Sequence, residues 1–156
     1  MVRNLYLLRH GHAENGYQMN DFDRELTAKG TAGVNAVGAQ LKEAGVKLDL
    51  ILCSTAVRTV QTSELIVAHL EYDKPVEYLD EIYEASIKQL FDVLATANTN
   101  QENVMLIGHN PAISFLNEYL ADETIPSLAP GEISKIVFAG QDWNEITKGS
   151  GSHREI

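Results

Sequence analysis

The segment Leu5-Tyr6-Leu7-Leu8-Arg9-His10-Gly11-His12-Ala13-Glu14 sets a guanidinium and an imidazole side by side where an apolar run ends. A neutral imidazole nitrogen can attack phosphorus, and a planar guanidinium can hold phosphoryl oxygens in two places at once, so the pair suggests phosphate chemistry. Other uses of the same residues compete. A strand-end histidine held by a carbonyl, beside an arginine paired to a carboxylate, is an ordinary structural arrangement. His10 and His12 stand two residues apart, on one side of an extended strand, a spacing that zinc hydrolases also use. What decides among these must come from elsewhere in the chain.

The elements that position the pair follow from the apolar pattern. Four apolar residues in a row, closed by a glycine, read as a strand buried on both faces inside an α/β sheet. Ligands in such sheets lie beyond the carboxyl ends of the strands, so Arg9 and His10 are delivered to the mouth of a pocket and Gly11 turns the backbone away. Residues 16–25 are polar and aperiodic and read as a loop. A helix follows, with Thr27 as its N-cap, an apolar face of Val34, Val37, Leu41 and Ala44, and Gly45 as its end. Gly33 and Gly38 inside it cost about 1 kcal/mol each relative to alanine, which implies close packing or mobility.

A second strand over residues 48–53 leads into Ser54-Thr55-Ala56-Val57-Arg58, where Ser54 is a candidate cap for a helix whose first turn carries Arg58. A helix amino end and a guanidinium above a strand end make a second phosphate-binding device, although an exposed helical arginine is the plainer alternative. A short third strand over 76–78 runs into Leu79-Asp80-Glu81-Ile82-Tyr83-Glu84, whose acids include a candidate proton donor or are simply solvated surface. Ser86 then caps a helix with the stripe Ile87, Leu90, Phe91 and Leu94. Val104-Met105-Leu106-Ile107 is a further buried strand, followed by Gly108-His109-Asn110-Pro111. With Asn110 as N-cap and Pro111 as first helical residue, His109 stands at the positive end of a helix carrying Ile113, Leu116 and Leu120. Residues 133–138 and 143–146, flanking Gly140-Gln141-Asp142, read as a closing hairpin, and the Gly- and Ser-rich residues 148–156 as a flexible tail after a single domain over 1–147.

Composition sets the outer limits. A chain of 156 residues with 44% apolar content forms one domain and buries roughly two-thirds of its unfolded surface without staples. The single Cys53 lies in Leu50-Ile51-Leu52-Cys53 and reads as a buried thiol in a reducing compartment. No apolar run approaches the ~18 residues of a membrane span and no signal-peptide core precedes the first strand, so a cytoplasmic location is expected. The net charge of −10 repels nucleic acid and anionic lipid, so neither is expected as a partner, and any phosphate must be gathered by a local cationic pocket.

Arg9-His10-Gly11 after a first strand, Leu26-Thr27-x-x-Gly30, Ser54-x-x-x-Arg58-x-x-x-Thr62 and Gly108-His109 before a helix together resemble the histidine phosphatase superfamily, the phosphoglycerate-mutase-like fold. The motifs occur in the family's order across most of the chain. The resemblance implies an α/β three-layer sandwich with a mainly parallel sheet and helices on both faces. It makes His10 the phosphorylated nucleophile, Arg9, Arg58 and His109 the rest of the phosphate pocket, and Glu81 the general acid with Glu84 as substitute. It implies neither cofactor nor metal. One departure is His12, where many relatives place an acid.

Within the superfamily the chain most resembles the small bacterial members typified by SixA, because only one loop fits between Gly11 and Leu26 and only one helix between Glu81 and Val104, leaving no lid. A shallow groove suits a phosphorylated side chain of another protein, phosphohistidine above all, since its imidazole leaving group asks little of a general acid. The rivals are a broad phosphomonoesterase acting on small molecules and a non-catalytic phosphate- or phosphoprotein-binding module. Zinc at His10 and His12 would need a further ligand, and His109 sits with two guanidiniums that repel a dication.

Overall fold

The computed structural model describes residues 1–156. Side chains alternate across its central strand, β1 (Val2–Arg9): Leu5 and Leu7 join one core, Tyr6 and Leu8 the other, and all four are buried. Strands β2 (Leu50–Ser54), β3 (Val76–Leu79), β4 (Asn103–Gly108), β5 (Ile133–Ala139) and β6 (Gly151–Arg154) complete a six-stranded sheet in the order β3-β2-β4-β1-β5-β6. The first four strands run parallel, while β5 and β6 add an antiparallel edge. Helices α1 (Ala28–Glu43) and α2 (Val57–Leu70) supply Val34, Leu41 and Ile66 to one face, and α3 (Ile87–Leu94) and α4 (Ala112–Ala121) supply Leu90, Leu94, Ile113, Leu116 and Leu120 to the other. This is the expected three-layer sandwich with a mainly parallel sheet.

The caps expected for α1 and α3 are present. Thr27 Oγ1 accepts from the Gly30 amide at 3.0 Å, and Ser86 and Gln89 form a reciprocal capping box. The glycines of α1 differ in role. Gly38 faces the His69 ring of α2, where a Cβ would collide, whereas Gly33 has open space around it. Gly30 is required by close approach, because a Cβ there would overlap the His12 carbonyl. Cys53 is fully buried, and burial pushes its thiol up to about 12, which leaves it inert.

Three local expectations are corrected. Residues 143–146 form no strand. Trp143 is buried against Phe138 and donates from Nε1 to the Gln101 carbonyl at 2.7 Å, while Asp142 pairs with Arg3 at 3.4 Å and accepts from Thr99 at 2.6 Å. Those side-chain bonds fold the segment into turns. The antiparallel partner of β5 is instead β6, from the segment expected to be a loose tail: Gly151 lies so close to Ile136 and Phe138 that a Cβ would collide. Asn110, finally, does not cap α4. Its amide donates to the Leu128 carbonyl at 2.8 Å and to Ser127 Oγ at 3.1 Å, tying the start of α4 to the loop before β5. No helix is long and apolar enough to cross a membrane.

Candidate active site

Strand register brings the two histidines together. Arg9 of β1 pairs with Gly108 of β4, and the His10 amide donates to the Gly108 carbonyl at 3.2 Å, so the next residue of each strand emerges at the same rim. The His10 and His109 rings stand 5.2 Å apart, centroid to centroid. Ser54, the last residue of β2, does not cap α2 as expected, since that helix starts at Val57 and has no side-chain cap. Its hydroxyl accepts from the Ala56 amide at 3.3 Å and meets His109 Nε2 at 2.8 Å. Arg58 is in the first turn of α2 as expected. Thr62, one turn on, donates to the Arg58 carbonyl at 2.7 Å and accepts from the Gly11 amide at 3.1 Å, which locks the loop after β1 onto α2.

The partners of His10 settle its tautomer. Nδ1 lies 2.8 Å from the Gly11 carbonyl, which can only accept, so Nδ1 carries the proton. Nε2 lies 3.4 Å from Arg58 Nε, which can only donate, so the Nε2 lone pair faces the guanidinium. Burial, joined by the charges of Arg58 and Arg9 and opposed by the Gly11 hydrogen bond, pushes the His10 pKa down to about 4. Burial and the Arg58 charge push that of His109 down to about 3. Both rings are therefore neutral near pH 7, and His10 Nε2 is the unprotonated nitrogen that a nucleophile needs, its lone pair in a long 3.4 Å contact with Arg58 Nε.

The remaining cations come from strand and loop. Arg9 donates from Nη1 to the Leu128 carbonyl at 2.9 Å, and the Gly131 amide closes on the carbonyls of Arg9 and His10 at 3.1 and 2.8 Å. A cavity of about 350 Å³ is lined by Arg9, His10, Arg58 and His109, with Asp21, Arg24, Tyr83 and Glu84 also on its wall. Four of the five expected site residues thus converge at one rim. Glu81 is the exception: it lies in the turn after β3 and lines a separate groove with Glu77, Leu79 and Gln89. The turn Asp80–Ile82 points Ile82 into the core and leaves Glu81 outside, while Glu84, two residues further, reaches the cavity from a left-handed backbone with φ of 55°. His12 also borders the cavity, and its Nδ1 pairs with Thr27 Oγ1 at 2.8 Å. No group of three or more His, Cys, Asp or Glu side chains is gathered as a metal ligand set.

Asp21, Arg24 and Tyr83 escape the sequence reading. They belong to segments without periodicity, and the available signal was the length of the loop between Gly11 and Leu26, since long loops in compact domains are commonly functional. Asp21 Oδ2 accepts from Tyr83 at 2.7 Å and from Arg58 Nη2 at 3.0 Å, and its Oδ1 accepts from Arg24 at 3.0 Å. The Tyr83 hydroxyl and the Arg58 guanidinium hold its carboxyl down to about 2. The same bond to Asp21 pushes the Tyr83 phenol up to about 12.

The depressed histidines make stability depend on pH with a definite sign. Their folded pKa values, about 4 and about 3, lie below the unfolded value near 6.5, so the unfolded chain takes up protons first as pH falls. Their contribution is complete above about pH 6.5 and is lost progressively towards pH 4 and 3. The urea midpoint is expected to drop between pH 7 and pH 5, and NMR signals of both rings to stay in the neutral form at pH 5. Rings that titrate near pH 6.5 would contradict the buried, neutral pair.

With this geometry in place, known proteins offer a comparison. The family model of the histidine phosphatase superfamily (branch 1) matches residues 5–92. An uncharacterized protein of Mycobacterium tuberculosis is 30% identical over 112 residues, which cover 70% of this chain and 68% of that one. The solved structure of the SixA protein of Nakamurella multipartitia superposes with a TM-score of 0.84 at 25% identity, over 99% of this chain and 95% of the other. That of the protein histidine phosphatase SixA complexed with tungstate has a TM-score of 0.84 at 24% identity, over 97% and 94% of the two chains. This chain belongs to the histidine phosphatase superfamily, whose model covers more than half of it. It is a phosphohydrolase of that family.

Proposed function

We propose that this protein removes phosphoryl groups from histidine side chains of a partner protein, in the cytoplasm, through a covalent phosphohistidine on His10. The observation that carries the reading is the His10 Nε2 nitrogen, left unprotonated by the Nδ1 bond to the Gly11 carbonyl and set in a cavity with Arg9, Arg58 and His109. In the first step Nε2 forms a bond to phosphorus as the bond from phosphorus to the leaving group breaks. An imidazole protonated at its second nitrogen leaves neutral without a further proton, whereas an alkoxide takes one from the acid form of the carboxylate that later accepts the proton of water. Arg9, Arg58 and His109 hold the equatorial oxygens as charge spreads over them. In the second step water attacks phosphorus, the Nε2 bond breaks, inorganic phosphate departs, and the proton of water passes to a carboxylate.

Glu84 is the group we assign to that proton, replacing Glu81, because its carboxylate borders the cavity and Glu81 does not. Its left-handed backbone is a conformation that side-chain-bearing residues seldom adopt, and such strain concentrates at functional sites. Glu84→Gln is expected to slow alkyl phosphates by roughly 10²–10⁴-fold and p-nitrophenyl phosphate far less, with Glu81→Gln close to wild type on both. Equal losses on the two substrates in Glu84→Gln would remove it from the role.

The phosphohistidine substrate draws support from the fold. The segment between β1 and α1 contributes only the short turn Asp21–Asp23, and that between β3 and α3 only Asp80–Ile82, so no cap domain stands over the cavity. A side chain projecting from another protein has access that an enclosing pocket would deny. SixA, which shares this fold, is a protein histidine phosphatase. The deciding experiment compares kcat/KM on a phosphohistidine-bearing domain with phosphoserine peptides and sugar phosphates. A preference for any small phosphomonoester would overturn the substrate, and failure to turn over even p-nitrophenyl phosphate would point to a binding module.

A further inference from the structure

The cavity holds a negative charge in a place where a phosphatase gains nothing from it during binding. Arg58 donates from Nη1 to the Asp21 carbonyl at 2.7 Å and from Nη2 to the Asp21 carboxylate at 3.0 Å, while its Nε faces His10. One of the guanidiniums that would receive a phosphoryl group is therefore already partnered by a carboxylate of the chain itself. Two further side chains hold Asp21 there, with about half of its own side chain exposed. Tyr83 donates to Oδ2, Arg24 donates to Oδ1 from Nε and closes an ion pair from Nη2 at 3.0 Å, and neighbouring Phe22 stacks edge-on against Tyr83 at 5.2 Å. Tyr83 in turn stacks edge-on against His109 at 5.5 Å, so the carboxylate is fixed to the same assembly that carries the reacting groups.

Arg58 has five N–H donors and spends three on these contacts, which leaves two for a phosphoryl oxygen. Phosphate can therefore bind with Asp21 in place, but it does so beside a fixed like charge. The size of the repulsion depends on the charge of the ligand. An alkyl or aryl phosphate approaches mainly as a dianion near neutral pH, and inorganic phosphate as a mixture of monoanion and dianion. A phosphoryl group on imidazole carries a ring whose second nitrogen protonates in the same pH range, which makes the leaving group a cation and the whole less negative by one. The same carboxylate repels the second class less than the first, because the net charge it meets is smaller and part of the group is a cation.

We propose that Asp21 is a specificity-determining residue whose fixed charge weakens the binding of dianionic phosphomonoesters and inorganic phosphate and so favours phosphoramidates with a protonated imidazole leaving group. The substrate half of this inference rests on the phosphohistidine reading above, and the electrostatic half does not. It also gives the product a route out, because the phosphate left after hydrolysis meets the same repulsion at Arg58.

The test is Asp21→Asn, which removes the charge but keeps an oxygen able to accept from Tyr83 and Arg58. Inorganic phosphate serves as competitive inhibitor, and p-nitrophenyl phosphate and a phosphohistidine-bearing domain serve as substrates. The Ki of phosphate is expected to fall about tenfold and the KM of p-nitrophenyl phosphate to fall with it, as removal of a nearby like charge requires. The ratio of kcat/KM for the phosphohistidine domain over p-nitrophenyl phosphate is expected to drop by about the same factor. A residue that merely braced Arg58 would weaken phosphate when replaced, so a Ki that rises or stays unchanged overturns the proposal. Asp21→Ser, which removes the charge together with most of the bracing, should shift the Ki in the same direction. A wild-type enzyme inert on the phosphohistidine domain would overturn the substrate reading, whereas a tighter phosphate Ki in Asp21→Asn would still uphold the charge effect.

Discussion

His10→Ala is expected to abolish the phosphoenzyme and to reduce turnover of p-nitrophenyl phosphate by roughly 10⁴-fold or more, as loss of a nucleophile does in covalent catalysis. Rapid quenching of the wild-type protein with radiolabelled substrate should trap a phosphate linkage that is labile in acid and stable in base, the signature of phosphorus on an imidazole nitrogen. The variant should show none. The fold is expected to survive, because the bonds of the Gly11 amide to Thr62 and of the Gly131 amide to the Arg9 and His10 carbonyls remain when the imidazole and its bond to the Gly11 carbonyl are lost. A circular dichroism spectrum matching wild type would confirm that the loss is chemical. Wild-type enzyme that turns over without a labelled intermediate would replace covalent catalysis by direct attack of water.

The second large effect is expected at Arg58, whose replacement by alanine should lower kcat/KM by roughly 10²–10³-fold, the usual cost of removing one preorganised donor from developing negative charge. Lysine should rescue little of it. A single ammonium cannot face His10 Nε2, hold Asp21 and still offer two donors to a phosphoryl oxygen, whereas the guanidinium's planar fork does all three. Arg58 is buried to 4% exposure, so the measurement should be paired with a thermal midpoint. A kinetic loss below tenfold with an unchanged midpoint would remove Arg58 from the phosphate site.

The four motifs that place Arg9, His10, Arg58 and His109 are local, and each is legible in sequence for a local reason. An apolar run of four to six residues that stops at a charged or glycine residue marks both a buried parallel strand and the end of the sheet at which ligands bind. Two such strand ends carrying histidine, and a helix start carrying arginine, can then be assigned to one rim without knowledge of strand order. Thr27 and Ser86 are equally local, since a cap acts on amides three residues away. Thr62 and Gly30 stood in the motifs without a reason. The structure supplies it: Thr62 bridges Gly11 to Arg58, and Gly30 admits the His12 carbonyl.

What the sequence by itself determined was therefore the class of fold, the parallel core of the sheet and the four side chains that meet at one cavity, all encoded within windows of about ten residues. Tertiary structure alone decided which acid faces that site, because Glu81 and Glu84 are three residues apart in an irregular turn. Burial of Ile82 and the left-handed backbone at Glu84 choose between them. It alone decided the edge of the sheet, where Trp143 folds its segment into the core and Gly151, small enough to lie on Ile136 and Phe138, turns a Gly- and Ser-rich stretch into β6. And it alone brought Asp21 to Arg58 across 37 residues of chain, since a carboxylate in an aperiodic loop has no pattern to declare its partner until the loop is closed by contacts with Tyr83 and Arg24.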